Sequence, residues 1–167
     1  MNIEKLKEEF INKLIRKIGS IKLGIPTDKD TDLGCLISEA AAEKVEKQVN
    51  DMIKVGAKLV IGGRRNGAFY EPTIILDVHP NMPVATNLDI LGPVVSIIEF
   101  ESLNDAINIA NSSAYGNATS VFTRNTKIAM KVASLIKSSM VVINGGTQNQ
   151  VMEITRDGCK YSGLGKE

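Results

Sequence analysis

Residues 82–100 read MPVATNLDILGPVVSIIEF, and the second half of that stretch decides the fold. Val94, Val95, Ile97 and Ile98 make it the run richest in β-branched side chains, set between Gly92-Pro93 and a polar segment. A short, continuous apolar run of this kind predicts a strand buried on both faces, here from Val94 to Phe100. Pro93 fixes its own φ and removes an amide donor, so the strand is entered abruptly. Asp89 lies three residues ahead of Gly92, at the mouth of the strand. Open α/β sheets hold ligands at strand ends and topological switch points, which makes Asp89 the first candidate functional residue.

The pattern downstream is regular. Ser102, with Asp105 three residues on, predicts a capped helix burying Leu103, Ala106, Ile107 and Ala110. A strand Thr119–Phe122 follows, then a helix from Thr126 with Ile128, Val132, Leu135 and Ile136 inward, then a strand Met140–Ile143. Strands alternating with helices of roughly ten residues predict βαβ units, a parallel sheet and right-handed crossovers.

Upstream, Leu6, Phe10, Ile11, Leu14, Ile15 and Ile18 recur at helical spacing, predicting an amphipathic helix Ile3–Ile18 with one buried stripe. A turn-rich connection begins at Gly24-Ile25-Pro26-Thr27-Asp28 and runs to about Leu36. Ser38 caps a second helix, whose apolar face is Ala42, Val45, Val49, Met52 and Ile53, and Gly56 ends it in the left-handed position. Strands are expected at Lys58–Ile61, Phe69–Tyr70 and Thr73–Val78, with Gly62-Gly63 and Asn66-Gly67 as tight reversals and Pro72 as a break.

Composition removes several functions. The formal net charge is +1, so no basic footprint points to nucleic acid. No apolar run approaches the ~18 residues of a membrane span, and the mixed-charge start is not a signal peptide. Cys35 and Cys159 are far apart without CxxC spacing, which suits a reducing, cytoplasmic location. With His79 the sole histidine, no metal constellation is expected. At 167 residues the chain is expected to form one domain, 1–167.

Four segments together resemble the aldehyde dehydrogenase superfamily: GAKLVIGGRRNGAFYEPTIILDV (56–78), DILGPV (89–94), the run from Ala106 to Gly145, and KYSGLGKE (160–167). Nearly the whole chain is covered with few gaps. The resemblance implies an α/β fold: the parallel-sheet βαβ catalytic domain of that family, without its dinucleotide-binding and oligomerisation parts. Asp89 stands where the family has a glutamate that accepts hydrogen bonds from a cofactor ribose, and it is one methylene shorter. Leu91 replaces a phenylalanine flanking the nicotinamide. These two are the candidate cofactor-binding residues, vestigial in character. Asn144 matches the asparagine that opens the family's substrate-side loop. That loop departs from the family's Pro-Phe-Gly-Gly, reading Thr155-Arg156-Asp157-Gly158, while Gly158, Lys160, Ser162, Gly163 and Gly165 stay in register.

Neither cysteine lies in the Gly-Gln-x-Cys setting of the family's nucleophile. Cys35 is expected to be buried filler, and no catalytic residue is assigned. The family's nucleophile, general-base glutamate, oxyanion asparagine and dinucleotide domain all correspond to sequence ahead of Met1. The chain alone is therefore expected to be inactive, with NAD or NADP implied only by the resemblance and not bound by this chain alone. The alternative is the C-terminal part of an NAD(P)-dependent enzyme completed by a separate N-terminal half. The expected partners are a second copy, paired in part through strand Met140–Ile143 as an exposed sheet edge, or such a half.

Overall fold

The structure is a computed structural model that describes residues 3–148 and 158–165. These fall into two compact units. The first holds the chain up to His79 together with Asp89–Glu99, and the second holds Pro80–Leu88 and everything from Phe100.

The first unit is built on helix α2 (Glu39–Lys54), which follows α1 (Ile3–Gly19). Ser38 Oγ accepts the Ala41 amide at 3.1 Å, satisfying one of the donors a helix start leaves bare. Glu39 in the first turn and Lys54 in the last both complement the helix dipole. Gly56 follows at φ +109°, as its sequence position predicts. Ala42, Val45, Val49 and Met52 are buried as expected, and Gln48, on the same face, is buried with them.

β1 (Lys58–Ile61) runs antiparallel to β4 (Thr73–Leu76), and β4 runs parallel to β5 (Val94–Ser96), giving the order β1-β4-β5. The sheet is therefore mixed, because β1 reaches β4 through the hairpin β2 (Arg65–Asn66)–β3 (Phe69–Tyr70), not through a crossover helix. Gly62 (φ +79°) makes the turn out of β1 possible, since a Cβ there would stand 2.2 Å from the Pro72 carbonyl oxygen.

The strand buried on both faces is β4, where the consecutive residues Ile74 and Ile75 are fully enclosed. The expectation for Val94–Phe100 needs correction accordingly. β5 stops at Ser96 and leaves Val95 40% exposed, because it flanks the sheet with β4 as its one neighbour among the described residues. The first helix also departs from its prediction. Ile11, Leu14, Ile15 and Ile18 are only half-buried, and Phe10 is 55% exposed. An ion pair from Lys7 to Glu99 tethers that helix, and the Leu6 side chain lies outside the described residues.

The second unit contains one complete βαβ element. β6 (Ala118–Val121) and β7 (Met140–Ile143) pair in parallel register from Ala118↔Met140 to Val121↔Ile143, joined by α5 (Thr126–Leu135). α4 (Leu103–Ser112) starts at the predicted cap: Ser102 Oγ accepts the Asp105 amide at 3.1 Å and donates to Asp105 Oδ2 at 2.6 Å. Proline at its start sets α3 (Pro83–Thr86), a single turn that periodicity did not reveal. Ile107, Ala129 and Val132 are the buried centre. Ala110, Leu135 and Phe122, expected inward or in a strand, are exposed, since the ribbon has only two strands and its helices overhang it. Among the described residues no helix is long and apolar enough to cross a membrane.

Candidate functional site

Asp89 sits in an irregular segment between α3 and β5 that packs on α2. Gln48 Nε2 donates to the Asp89 carbonyl at 3.4 Å, and Gly92 lies so close to Val45 that a Cβ would meet Val45 Cγ2 at 2.8 Å. The backbone is thus held by α2 while the Asp89 side chain projects into solvent, with no hydrogen bond or ion pair among the described residues. Leu91 is 71% exposed. Sequence reasoning missed Gln48. Its signal was a polar residue three positions after Val45 and four before Met52, on the apolar stripe of its helix.

Asn144 belongs to the second unit. It follows β7 at φ +54°, in the left-handed region that asparagine tolerates better than most residues. Its amide nitrogen donates to the Val121 carbonyl at 2.8 Å. Its side chain both accepts from the Thr123 amide at 2.9 Å and donates to the Thr123 carbonyl at 3.0 Å. The substrate-side loop of the resemblance thus opens from a residue anchored to the end of β6. Thr155, Arg156 and Asp157, where that loop diverges, lie outside the described residues.

The segment after it closes on α4. Lys160 Nζ donates to the carbonyls of Asn111, Ser113 and Tyr115, at 3.1, 2.9 and 3.5 Å, and so places a cation on the negative end of the helix. The Tyr161 amide donates to the Ala114 carbonyl at 3.0 Å, and the Gly116 amide to Ser162 Oγ at 3.0 Å. Gly158 donates to the Gly165 carbonyl at 2.8 Å, and a Cβ on Gly158 would lie 2.2 Å from the Gly163 backbone. These contacts explain the Lys-x-Ser-Gly-x-Gly spacing as a helix-end clamp with a backbone too close for side chains.

Cys35 is exposed, contrary to the buried filler expected of it, because the connection it occupies runs over the surface. Cys159 Sγ points to the Lys137 carbonyl at 3.6 Å. No base stands beside either thiol among the described residues. Arg65 supplies the densest charge contact. It meets Glu39 and Glu46 at 3.0 Å and Glu43 at 3.6 Å, carboxylates spaced along one face of α2, and its hydrogen bond to Glu46 foremost raises its pKa. Every donor in that group is directed to a structural partner.

A dinucleotide needs walls for its base, ribose and pyrophosphate. One solvated carboxylate and one solvated leucine on an open segment do not enclose it, so the residues present do not by themselves fit the cofactor the family implies.

Comparison with known proteins defines the class. The aldehyde dehydrogenase family matches over residues 3–167, and the chain belongs to that family. Lactaldehyde dehydrogenase of Methanococcus aeolicus is 37% identical over 98% of this chain and 35% of its own length. 3-Sulfolactaldehyde dehydrogenase of Priestia megaterium is 37% identical over 95% of this chain and 33% of its own length. Among solved structures, aldehyde dehydrogenase 21 from Physcomitrella patens, in complex with the reaction product succinate, superposes with a TM-score of 0.91 at 31% identity, covering 98% of this chain and 34% of that one. Glyceraldehyde-3-phosphate dehydrogenase from Methanocaldococcus jannaschii, complexed with NADP, gives 0.91 at 34% identity over 98% of this chain and 35% of that one. The chain thus spans about a third of the length of these relatives.

Proposed function

We propose that these residues are the scaffold portion of an aldehyde dehydrogenase catalytic domain, folded but without turnover on its own. The observation that carries this reading is a near-complete structural match at a TM-score of 0.91 combined with coverage of only 34% of the matched chain. Oxidising an aldehyde through a thiohemiacetal requires a nucleophile to make the covalent adduct and a bound nicotinamide to take the hydride. Neither Cys35 nor Cys159 has an activating neighbour, and Asp89 and Leu91 offer at most one edge of a cofactor site.

Joined to polypeptide carrying the rest of the family's architecture, the chain contributes three things. Asp89 is an acceptor toward the ribose of NAD or NADP, Leu91 an apolar flank, and Asn144 the anchor of the substrate-side loop. The relatives act on lactaldehyde and 3-sulfolactaldehyde, which supports a short polar aldehyde as the substrate of such a whole. Two free thiols fit a reducing cytoplasm. The β7 edge and the half-buried face of α1 support association with a second copy or with a cofactor-domain half.

The test is a fluorescence titration with NADH and NADPH, followed by an aldehyde turnover assay, on the chain alone and then mixed with a cofactor-domain polypeptide. The expected result is no saturable binding and no turnover alone, with NADH formed only in the mixture. Turnover by the unaided chain sinks the proposal.

A further inference from the structure

The β6–β7 ribbon has two open sides, and they are not alike. In a parallel pair, alternate residues turn their N–H and C=O toward the neighbour. The Val121 carbonyl accepts from Asn144 at 2.8 Å, so Val121 faces β7, and Ser120 directs its backbone groups the other way. Among the described residues no strand pairs with that side of β6. Along it lies a cavity of about 370 Å³. Its wall includes the five consecutive residues Thr119 to Thr123. Successive strand residues point to opposite faces, so a run of five can line one space only where that space follows the strand's edge. Leu103 and Ile107 of α4 close it on one side, Ile128 and Val132 of α5 on another, and no charged residue lines it.

We infer that the open edge of β6 is a docking site for an extended, uncharged, β-branched strand of a separate polypeptide. An edge of bare amides and carbonyls calls for backbone partners, and the apolar helix faces beyond it call for aliphatic side chains on that partner. The cavity far exceeds what one water occupies, and its aliphatic lining offers water few partners. A second folded copy is a poor occupant. Its β-branched runs at Thr73–Leu76, Val94–Ser96 and Met140–Ile143 are already built into sheets. This site deepens the reading above, on which it rests for the existence of a second polypeptide. Its test involves no turnover, so failure of either leaves the other standing.

The probe is a synthetic peptide of alternating valine and isoleucine flanked by lysines, titrated into the full chain while amide hydrogen exchange is followed residue by residue. The control is the same peptide N-methylated at alternate positions, which removes its donors without touching the protein. The Ser120 amide is expected to exchange about tenfold more slowly with the probe and to be unchanged with the control. Ser120→Pro, which deletes the amide, is expected to abolish the effect, and the N-methylated control decides the matter should that variant misfold. Equal protection by both peptides, protection confined to the β7 edge, no saturable protection, or protection of Ser120 that rises with protein concentration alone would each overturn the assignment. The last would make the occupant a second copy.

Discussion

Asn144 and Thr123 hold each other through two hydrogen bonds, with the asparagine amide group filling the place of one more backbone pair beyond the β6–β7 ladder. The same residue bends the chain into the left-handed region at φ +54°. Both roles are separable by substitution. Asn144→Gly keeps the backbone conformation and loses the two bonds, for an expected cost of about 1–2 kcal/mol. Asn144→Ala loses them and adds about 1 kcal/mol of backbone strain. Urea denaturation should therefore rank alanine below glycine, and the reverse order would remove the conformational part of this account.

Lys160 places three donors on the carbonyls around the end of α4. Lys160→Met keeps the aliphatic stem and removes the cation, with an expected loss of about 1–3 kcal/mol in unfolding free energy. Lys160→Arg should not restore it, because a planar fork does not converge on three carbonyls as a compact ammonium does. Full stability in the arginine variant would contradict this geometry.

Tyr70 is enclosed, its hydroxyl has no partner at bonding distance among the described residues, and burial raises its pKa. Between the unfolded value near 10 and the higher folded value, the native state binds the proton that the unfolded chain has lost. Stability is therefore complete below about pH 10 and falls as pH rises above it. Tyr70→Phe should flatten that alkaline slope. At neutral pH it should leave stability unchanged or raise it by about 1 kcal/mol, since it removes an unsatisfied buried group. Thermal melts from neutral to strongly alkaline pH give both readings.

Arg65 binds three carboxylates of α2 and accepts no substitute that lacks its geometry. Arg65→Lys retains the charge and loses the fork, so its melting temperature should fall below that of the wild type. Added salt should narrow the gap, because these groups are close to solvent and screened by ions. A gap that widens with salt would show that packing, and not charge, is what the substitution disturbs.

Local chemistry made much of the architecture readable. Ser38, Gly56, Ser102 and the Asn66-Gly67 reversal each act through their own neighbours in sequence, and each is found where its residue type requires. Burial was less readable, because it depends on which strands flank a given one. Val94–Ile98 and Thr73–Leu76 have similar compositions, and only sheet order makes β4 the enclosed strand and β5 an outer one. The half-buried face of α1 follows the same logic, since periodicity reports that a helix has an apolar face and not what covers it. Motif spacing marked Lys160, Ser162 and the glycines around them, yet the clamp on α4 brings together residues more than forty positions apart and has no local trace. Gln48 was hidden for the same reason, its partner carbonyl lying 41 residues away.

Cys35 stands open to solvent in the first unit, while Cys159 is partly enclosed against Lys137 in the second. That difference in access gives an experimental handle. A limiting amount of maleimide dye should attach at Cys35 well before Cys159, yielding a singly tagged protein without mutagenesis. Cys35 lies two residues ahead of the exposed Ile37 and three ahead of the Ser38 cap. A fluorophore carried there would report on the start of α2 and leave the β6 groove untouched.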